Sequence, residues 1–171
     1  MTPTVAVAVA TGNEGKLSLF REVLGPLGIA VVGVDPKDAE ERAAVGYDSA
    51  VLAKLRGASQ LTDLPVLAHD SGFEFESLGW GPGPETKRWL AGGSWRKSAP
   101  TVGERVRVVH ALACSAAGRE KVIIDSDERT LSEWRAPGGA LLPLGNLTDG
   151  PRRAFSDGVL ALVQWVESGN D

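Results

Sequence analysis

The run Ala10-Thr11-Gly12-Asn13-Glu14-Gly15-Lys16 collects groups able to grip a phosphate. Gly12 and Gly15 permit close backbone approach, Asn13 can donate from its amide, and Lys16 adds a mobile point charge. Where a strand reopens as a helix, such a run aims backbone N–H groups at an anion. It is neither a Walker loop, which needs Gly-Lys-Ser/Thr after a longer gap, nor a dinucleotide Gly-x-Gly-x-x-Gly. Alone it reads equally well as a strand–helix turn with a surface lysine. A second run, Val66-Leu67-Ala68-His69-Asp70-Ser71-Gly72-Phe73, ends an apolar strand in a carboxylate. At a strand terminus, Asp70 can orient water or hold a divalent cation that lowers the water's pKa. An aspartate that merely caps a turn is the commoner case. Glu40 and Glu41 lie in the acidic connector 38–42 and could add a metal carboxylate, while Lys54 is an ordinary helix lysine by itself. His69 either tunes Asp70 or faces solvent, and His110 reads as a helix-face residue without chemistry. The conjunction of anion turn, lysine, acidic connector and strand-end aspartate points to an enzyme of phosphorylated small molecules, nucleotides first among them.

These groups need elements to place them. Alternating Val and Ala over 5–10 predict a buried strand, and Leu17, Phe20, Val23, Leu24 and Leu27 predict a helix from Gly15 that loosens at Gly25-Pro26. A β-branched strand follows over 29–34, closed by Asp35-Pro36. A helix over 49–61 carries Val51, Leu52 and Leu55 on its apolar side. After Pro65 the chain is extended at 66–68 and again at 73–78, and 79–84 must be a Gly/Pro loop. A short helix is expected over 85–90, a longer one over 102–117, strands at 121–125 and 130–134 around a polar turn at 126–128, and a last helix over 156–166. Helices interleaved with strands predict an α/β fold. No repeat or linker is evident, so residues 1–171 read as one domain.

Composition narrows the classes. The chain has 171 residues, 43% apolar and 23% charged, as for a water-soluble globular domain with a real core. A formal charge of −4 argues against a broad nucleic-acid footprint, and Arg152-Arg153 read as solvated surface. Cys114 is the single cysteine, which excludes an internal disulfide and reads as core. The start lacks a basic signal-peptide region and the apolar run after it is too short to span a bilayer, so no membrane and a reducing cytoplasm are expected. Trp80, Trp89, Trp95 and Trp134 read as packing residues.

Taken together, these motifs resemble the inosine triphosphate pyrophosphatase family. The resemblance begins over 10–17, resumes at Lys54, is strongest over 65–73 and 78–84, and extends to Arg135-Ala136-Pro137-Gly138-Gly139, which is similar to the family's Pro-Arg-Gly turn. It implies a mixed sheet flanked by helices, two lobes around a central cleft, and a homodimer. The implied activity is Mg²⁺-dependent hydrolysis of a noncanonical purine nucleoside triphosphate, ITP- or XTP-like, to the monophosphate and pyrophosphate. By the same resemblance Asn13 and Lys16 hold phosphate, Lys54 contacts the triphosphate, and Thr11, Ser71 and Gly72 complete the substrate contacts. Asp70 becomes the catalytic or water-orienting residue and a metal ligand, with Glu41, in preference to Glu40, as the second ligand. There are two departures. His69 stands where the family has the first of two acids. Towards the end, the family's aromatic Gly-Phe-Gly-Tyr/Trp-Asp-Pro segment has no counterpart after Gly139, and Ser156-Asp157-Gly158 stands in place of its Ser-His-Arg. These keep two other readings open: a relative retuned for a modified nucleotide or other phosphorylated substrate, and a non-catalytic nucleotide-binding or interaction protein.

Overall fold

The computed structural model describes residues 5–37, 46–134 and 148–169. In chain order it comprises β1 (Ala6–Val9), α1 (Glu14–Leu24), β2 (Ala30–Gly33), α2 (Tyr47–Ser59), β3 (Val66–Phe75), β4 (Gly81–Gly83), α3 (Thr86–Ala91), β5 (Arg105–Ala116), β6 (Arg119–Leu131), β7 (Thr148–Asp149) and α4 (Ala154–Ser168). The strands form a mixed sheet in the order β2-β1-β3-β5-β6-β7, with β4 paired to β3, and helices flank it. No helix among the described residues is long and apolar enough to cross a membrane. The chain divides into two compact units: one built from residues up to 70, 111–124 and 155 onwards, the other from 71–110 and 125–154.

In the first unit, β1 is the middle of three parallel strands, pairing Val7 with Val31 of β2 and Val9 with Leu67 of β3. Alternation sends its side chains to opposite faces. Val7 and Val9 join Leu17, Phe20 and Leu24 of α1 and Val159, Leu162 and Val163 of α4. Ala8 and Ala10 instead meet Val51, Leu55 and Ala58 of α2. Small alanines on that face and larger valines on the other set how closely each helix layer approaches.

Residues 105–116 are a strand, not the expected helix. Leu112 and Cys114 enter one cluster while Ala111 and Ala113 enter the other, so this stretch is buried on both faces. A strand covered on both sides loses its polar alternation and reads as a continuous apolar run, which an Ala-rich composition then disguises as helix. Burial also pushes the Cys114 thiol up to about 12, which suits a core residue and not a nucleophile.

α4 carries Gly158 where a Cβ would stand 2.5 Å from Leu112 Cδ1. Leu112 is itself buried and cannot swing away. In an exposed helix Gly→Ala stabilises; here the sign reverses. Gly158→Ala is expected to destabilise by about 1–3 kcal/mol through overpacking, read as a lower urea midpoint at unchanged slope.

The second unit has its own core of Phe73, Phe75, Val106, Val108 and Leu131, against which Trp89 and Trp134 pack. Trp134 lies edge-on to Phe75 at 6.0 Å and Trp95 meets Trp134 at 6.4 Å, so these three tryptophans are packing residues as expected. Trp80 is different: its φ is 63° and the Arg107 guanidinium lies 3.8 Å from its ring centroid. The Gly/Pro segment is only partly loop, because Gly81–Gly83 pairs antiparallel with Phe73–Phe75. The polar turn expected at 126–128 is absent. β6 runs straight through it, with Asp127, Arg129 and Leu131 buried in alternation. A polar pair occupies two inward positions, which is why hydropathy breaks the strand at that point.

Candidate active site

The turn after β1 is built from its own side chains. Thr11 Oγ1 accepts from the Asn13 N–H at 3.1 Å, and Asn13 Oδ1 accepts from the Lys16 N–H at 3.2 Å. Asn13 is thus the N-cap of α1, with extended backbone at φ −86° and ψ 113°. Its oxygen is engaged by the cap, so its amide nitrogen is the end left to donate outward. With the Lys16 and Leu17 N–H groups bonded back to Asn13, the Glu14 and Gly15 N–H groups are the ones at the helix start that no described residue accepts from. Adding Cβ to Gly15 would press on Asn13 Oδ1 at 3.1 Å, so the glycine keeps the cap geometry open.

Asp70 lies on β3, where the Lys54 ammonium of α2 donates to its Oδ1 at 2.9 Å. The side chains are only 14% and 21% exposed, so the pair is held in a partly dry setting. Oδ2 accepts no hydrogen bond from a described residue. Ala10 N–H donates to Leu67 O at 2.8 Å, which keeps β1 and β3 paired up to the β1–α1 turn. Thr11 therefore follows the carboxyl end of β1, whereas Asp70 lies just past the last β1–β3 pairing and midway along a continuous β3, not at the strand end expected from the sequence. This is also where the strand order reverses, because β2 lies on one side of β1 and β3 on the other, with α1 and α2 on opposite faces. Open α/β sheets form their ligand crevice at such a switch point.

Alternation along β3 settles the role of His69. It is buried with its ring 5.0 Å from Phe155 and 6.3 Å from Phe20, on the α1/α4 side, while Asp70 is on the α2 side. The histidine is a core residue of the sheet and does not share the aspartate's face. His110 is on β5, not on a helix, and burial pulls it down to about 4, with Asp127 opposing that shift. Ser71 and Gly72 continue β3 directly, Ser71 exposed and Gly72 buried. Glu40, Glu41 and the 135–139 turn lie outside the described residues.

The start of α4 also differs from the sequence reading. The helix begins at Ala154, so Ser156-Asp157-Gly158 lie inside it and Arg152-Arg153 directly precede it. Asp127 Oδ1 accepts from the Arg153 N–H at 2.8 Å and the Ala154 N–H at 3.1 Å, capping the helix from β6. Sequence reasoning had no access to this cap, since the residues are 27 apart along the chain. It also passed over Asp35, read only as the end of β2; its carboxylate stands against Gly12, where a Cβ would meet Oδ2 at 2.9 Å.

As for a metal, no three His, Cys, Asp or Glu side chains gather among the described residues. Mg²⁺ does not need such a cage, since it takes one or two carboxylates plus substrate phosphates and water. A hard carboxylate oxygen on Asp70, not used by Lys54, fits that demand. A shallow cavity of about 280 Å³ lined by Thr62, Asp63, Pro65, Ser115 and Gly118 lies at the other end of β3 and contains none of these groups.

The chain matches the model of the Ham1 family over residues 7–125. A dITP/XTP pyrophosphatase from Symbiobacterium thermophilum is 43% identical over 88 residues, covering 50% of this chain and 44% of the relative. One from Ralstonia nicotianae is 40% identical over 114 residues, covering 63% and 53% respectively. The chain thus spans about half the length of the curated relatives it matches. Among solved structures, the Staphylococcus aureus Ham1 protein superposes with a TM-score of 0.64 at 18% identity, over 97% of this chain and 100% of that one. A HAM1 protein from Coxiella burnetii gives 0.63 at 16% identity, over the same shares. At such identities the structural likeness speaks for the mixed α/β fold.

Proposed function

We propose, from the premise that the chain belongs to the Ham1 family, that it hydrolyses a noncanonical purine nucleoside triphosphate, ITP- or XTP-like, to the monophosphate and pyrophosphate. The observation that carries this reading is the Lys54–Asp70 pair beside the capped β1–α1 turn, just past the end of the parallel β1–β3 pairing. The Asn13 amide, the Glu14 and Gly15 N–H groups and Lys16 would receive the polyphosphate, with Thr11 bracing the turn and Ser71 and Gly72 lining the strand beyond Asp70. Lys54 fixes Asp70 through Oδ1 and leaves Oδ2 to orient the attacking water and accept its proton. The water oxygen bonds to the α-phosphorus in line, the bond to the bridging oxygen breaks, and pyrophosphate leaves with the electron pair. Lys16 and the turn N–H groups stabilise the charge that develops on it. Mg²⁺, when bound to Asp70 and Glu41, would neutralise the phosphate oxygens. The family likeness extends the proposal to a homodimer, checked by light scattering, and to a cytoplasmic nucleotide pool.

The test is a panel of ITP, XTP, dITP, the standard nucleotides and base-modified ones, assayed for pyrophosphate release with and without Mg²⁺. Turnover led by ITP or XTP supports the proposal. Turnover of a single modified nucleotide would replace its substrate half with a retuned relative. Binding without turnover would replace it with a non-catalytic nucleotide binder. Within an active enzyme, Lys16→Ala is expected to raise KM about 10-fold or more, as for loss of a charge-assisted phosphate contact. An unchanged KM would remove Lys16 from the phosphate site.

A further inference from the structure

We propose that Lys54 sets the order in which ligands enter the site: its ammonium keeps divalent cations off Asp70 in the free protein, and the charge of a bound polyphosphate lifts that barrier. The inference rests on the turn and the acid of the proposed function and adds a rule for metal entry that the reading above leaves open.

Three observations carry it. First, rigid elements place the ammonium on the acid. Val51, Leu55 and Ala58 of α2 have no exposed surface and pack against Ala8 and Ala10 of β1 and Ala68 of β3, two residues before Asp70 on the same face. Small residues under the helix bring it close to the sheet, and Lys54 Nζ meets Asp70 Oδ1 at 2.9 Å. Second, the pair is mostly out of water, with side chains 14% and 21% exposed, so solvent screens the ammonium only in part. Third, the start of α1 adds positive potential. The Glu14 and Gly15 N–H groups and Lys16 stand just after β1, the strand that pairs with β3. Of the acids near that turn, the Glu14 carboxylate is paired with Arg21, and Asp35 is exposed to water, which screens it.

A cation approaching Oδ2 of the free protein thus faces an ammonium already on Oδ1 of the same carboxylate. Asp70 brings one negative charge and Lys54 cancels it, so a divalent cation gains little net attraction there. Polyphosphate meets the opposite field. It enters on the turn N–H groups and Lys16, and its oxygens offset the Lys54 charge while supplying the further ligands that Mg²⁺ takes. Lys54 keeps its place on Oδ1 throughout, so α2 does not have to move.

The experiment titrates Mn²⁺, as a probe for Mg²⁺, into the free protein and into its complex with the α,β-imido analogue of ITP. Water proton relaxation separates protein-bound Mn²⁺ from the rest. Lys54→Gln keeps a donor for Oδ1 but loses the charge. It is expected to tighten Mn²⁺ binding to the free protein by about 10- to 100-fold, the scale on which an adjacent charge changes a carboxylate's affinity for a cation. Lys54→Met should do the same, Lys54→Arg should stay at the wild-type value, and adding Asp70→Asn to Lys54→Gln should abolish the gain. In wild type, Asp70→Asn should alter free-protein binding by less than about 2-fold, yet weaken binding in the nucleotide complex by about 10-fold or more. A merely structural lysine would lower the melting temperature and leave Mn²⁺ affinity alone. Equal affinities in wild type and both neutral variants therefore overturn the inference, as does an Asp70→Asn loss of the same size with and without nucleotide. The nucleotide panel judges the hydrolase separately. Turnover of ITP with unchanged Mn²⁺ affinities would sink the ordering and keep the hydrolase, whereas the expected affinities without turnover would keep the ordering and sink the hydrolase.

Discussion

Asp70→Asn is expected to lower kcat for pyrophosphate release by about 10²–10⁴-fold, with KM held within a few-fold. The substitution is nearly isosteric. An Asn oxygen can still accept from Lys54 at the place where Oδ1 does at 2.9 Å, so the fold and the pair geometry survive. What changes is the other position, where an acceptor becomes an NH₂ donor and can neither orient water nor take its proton. The loss therefore falls on the chemical step. A variant that retains wild-type kcat would remove Asp70 from catalysis, and one that loses nucleotide binding alone would make it a ligand contact. Steady-state kinetics on the best substrate of the panel separates these outcomes.

Asp127→Ala is expected to cost about 3–5 kcal/mol, a large part of the ~5–15 kcal/mol that holds a domain of this size. The carboxylate does two things at once. It caps α4 by accepting from the Arg153 and Ala154 N–H groups, and it stands 3.6 Å from the Arg129 guanidinium. Both side chains are about 95% buried, at 6% and 4% exposure. Removing the acid leaves a buried guanidinium without its carboxylate, and burial already pulls Arg129 below its usual value. Arg129 Nε also donates to Pro151 O at 3.2 Å, so the segment leading into the helix loosens from both sides. Asp127→Asn should recover about half of the loss, since its oxygen can keep the cap while the charge pairing goes. Urea unfolding of both variants at neutral pH tests this. Equal midpoints for Asp127→Ala and wild type would show the pair to be energetically idle.

Much of the first unit was legible from residues alone. β1, α1, β2 and α2 lie within a few residues of their expected bounds, because period-2 Val/Ala runs and Leu/Phe repeats at three and four residues act locally. The turn itself was legible for the same reason, since Thr11, Asn13 and Lys16 lie within five positions of one another, whereas the cap that Asn13 makes on the Lys16 N–H was seen only in the structure. Asp70 and Lys54 could be named separately, yet their contact spans 16 residues and needed the fold. β5 was hidden because burial on both faces removed the alternation that marks a strand. β6 was expected to break because Ser126-Asp127-Glu128 look like a turn until Asp127 meets its partners Arg153 and Ala154, 26 and 27 residues away.

The sequence by itself offered the groups: a turn suited to an anion, an aspartate read as ending a strand although β3 runs on to Phe75, a helix lysine, and the family these motifs resemble. Only the tertiary structure decided how those groups combine. It paired Lys54 with Asp70, turned His69 into the core, moved the start of α4 back to Ala154, and laid Asp35 over Gly12. The division has a physical cause. Propensity, capping and hydrophobic period are set by neighbours in the chain, whereas burial and the matching of polar partners depend on strands that meet only once the sheet has formed.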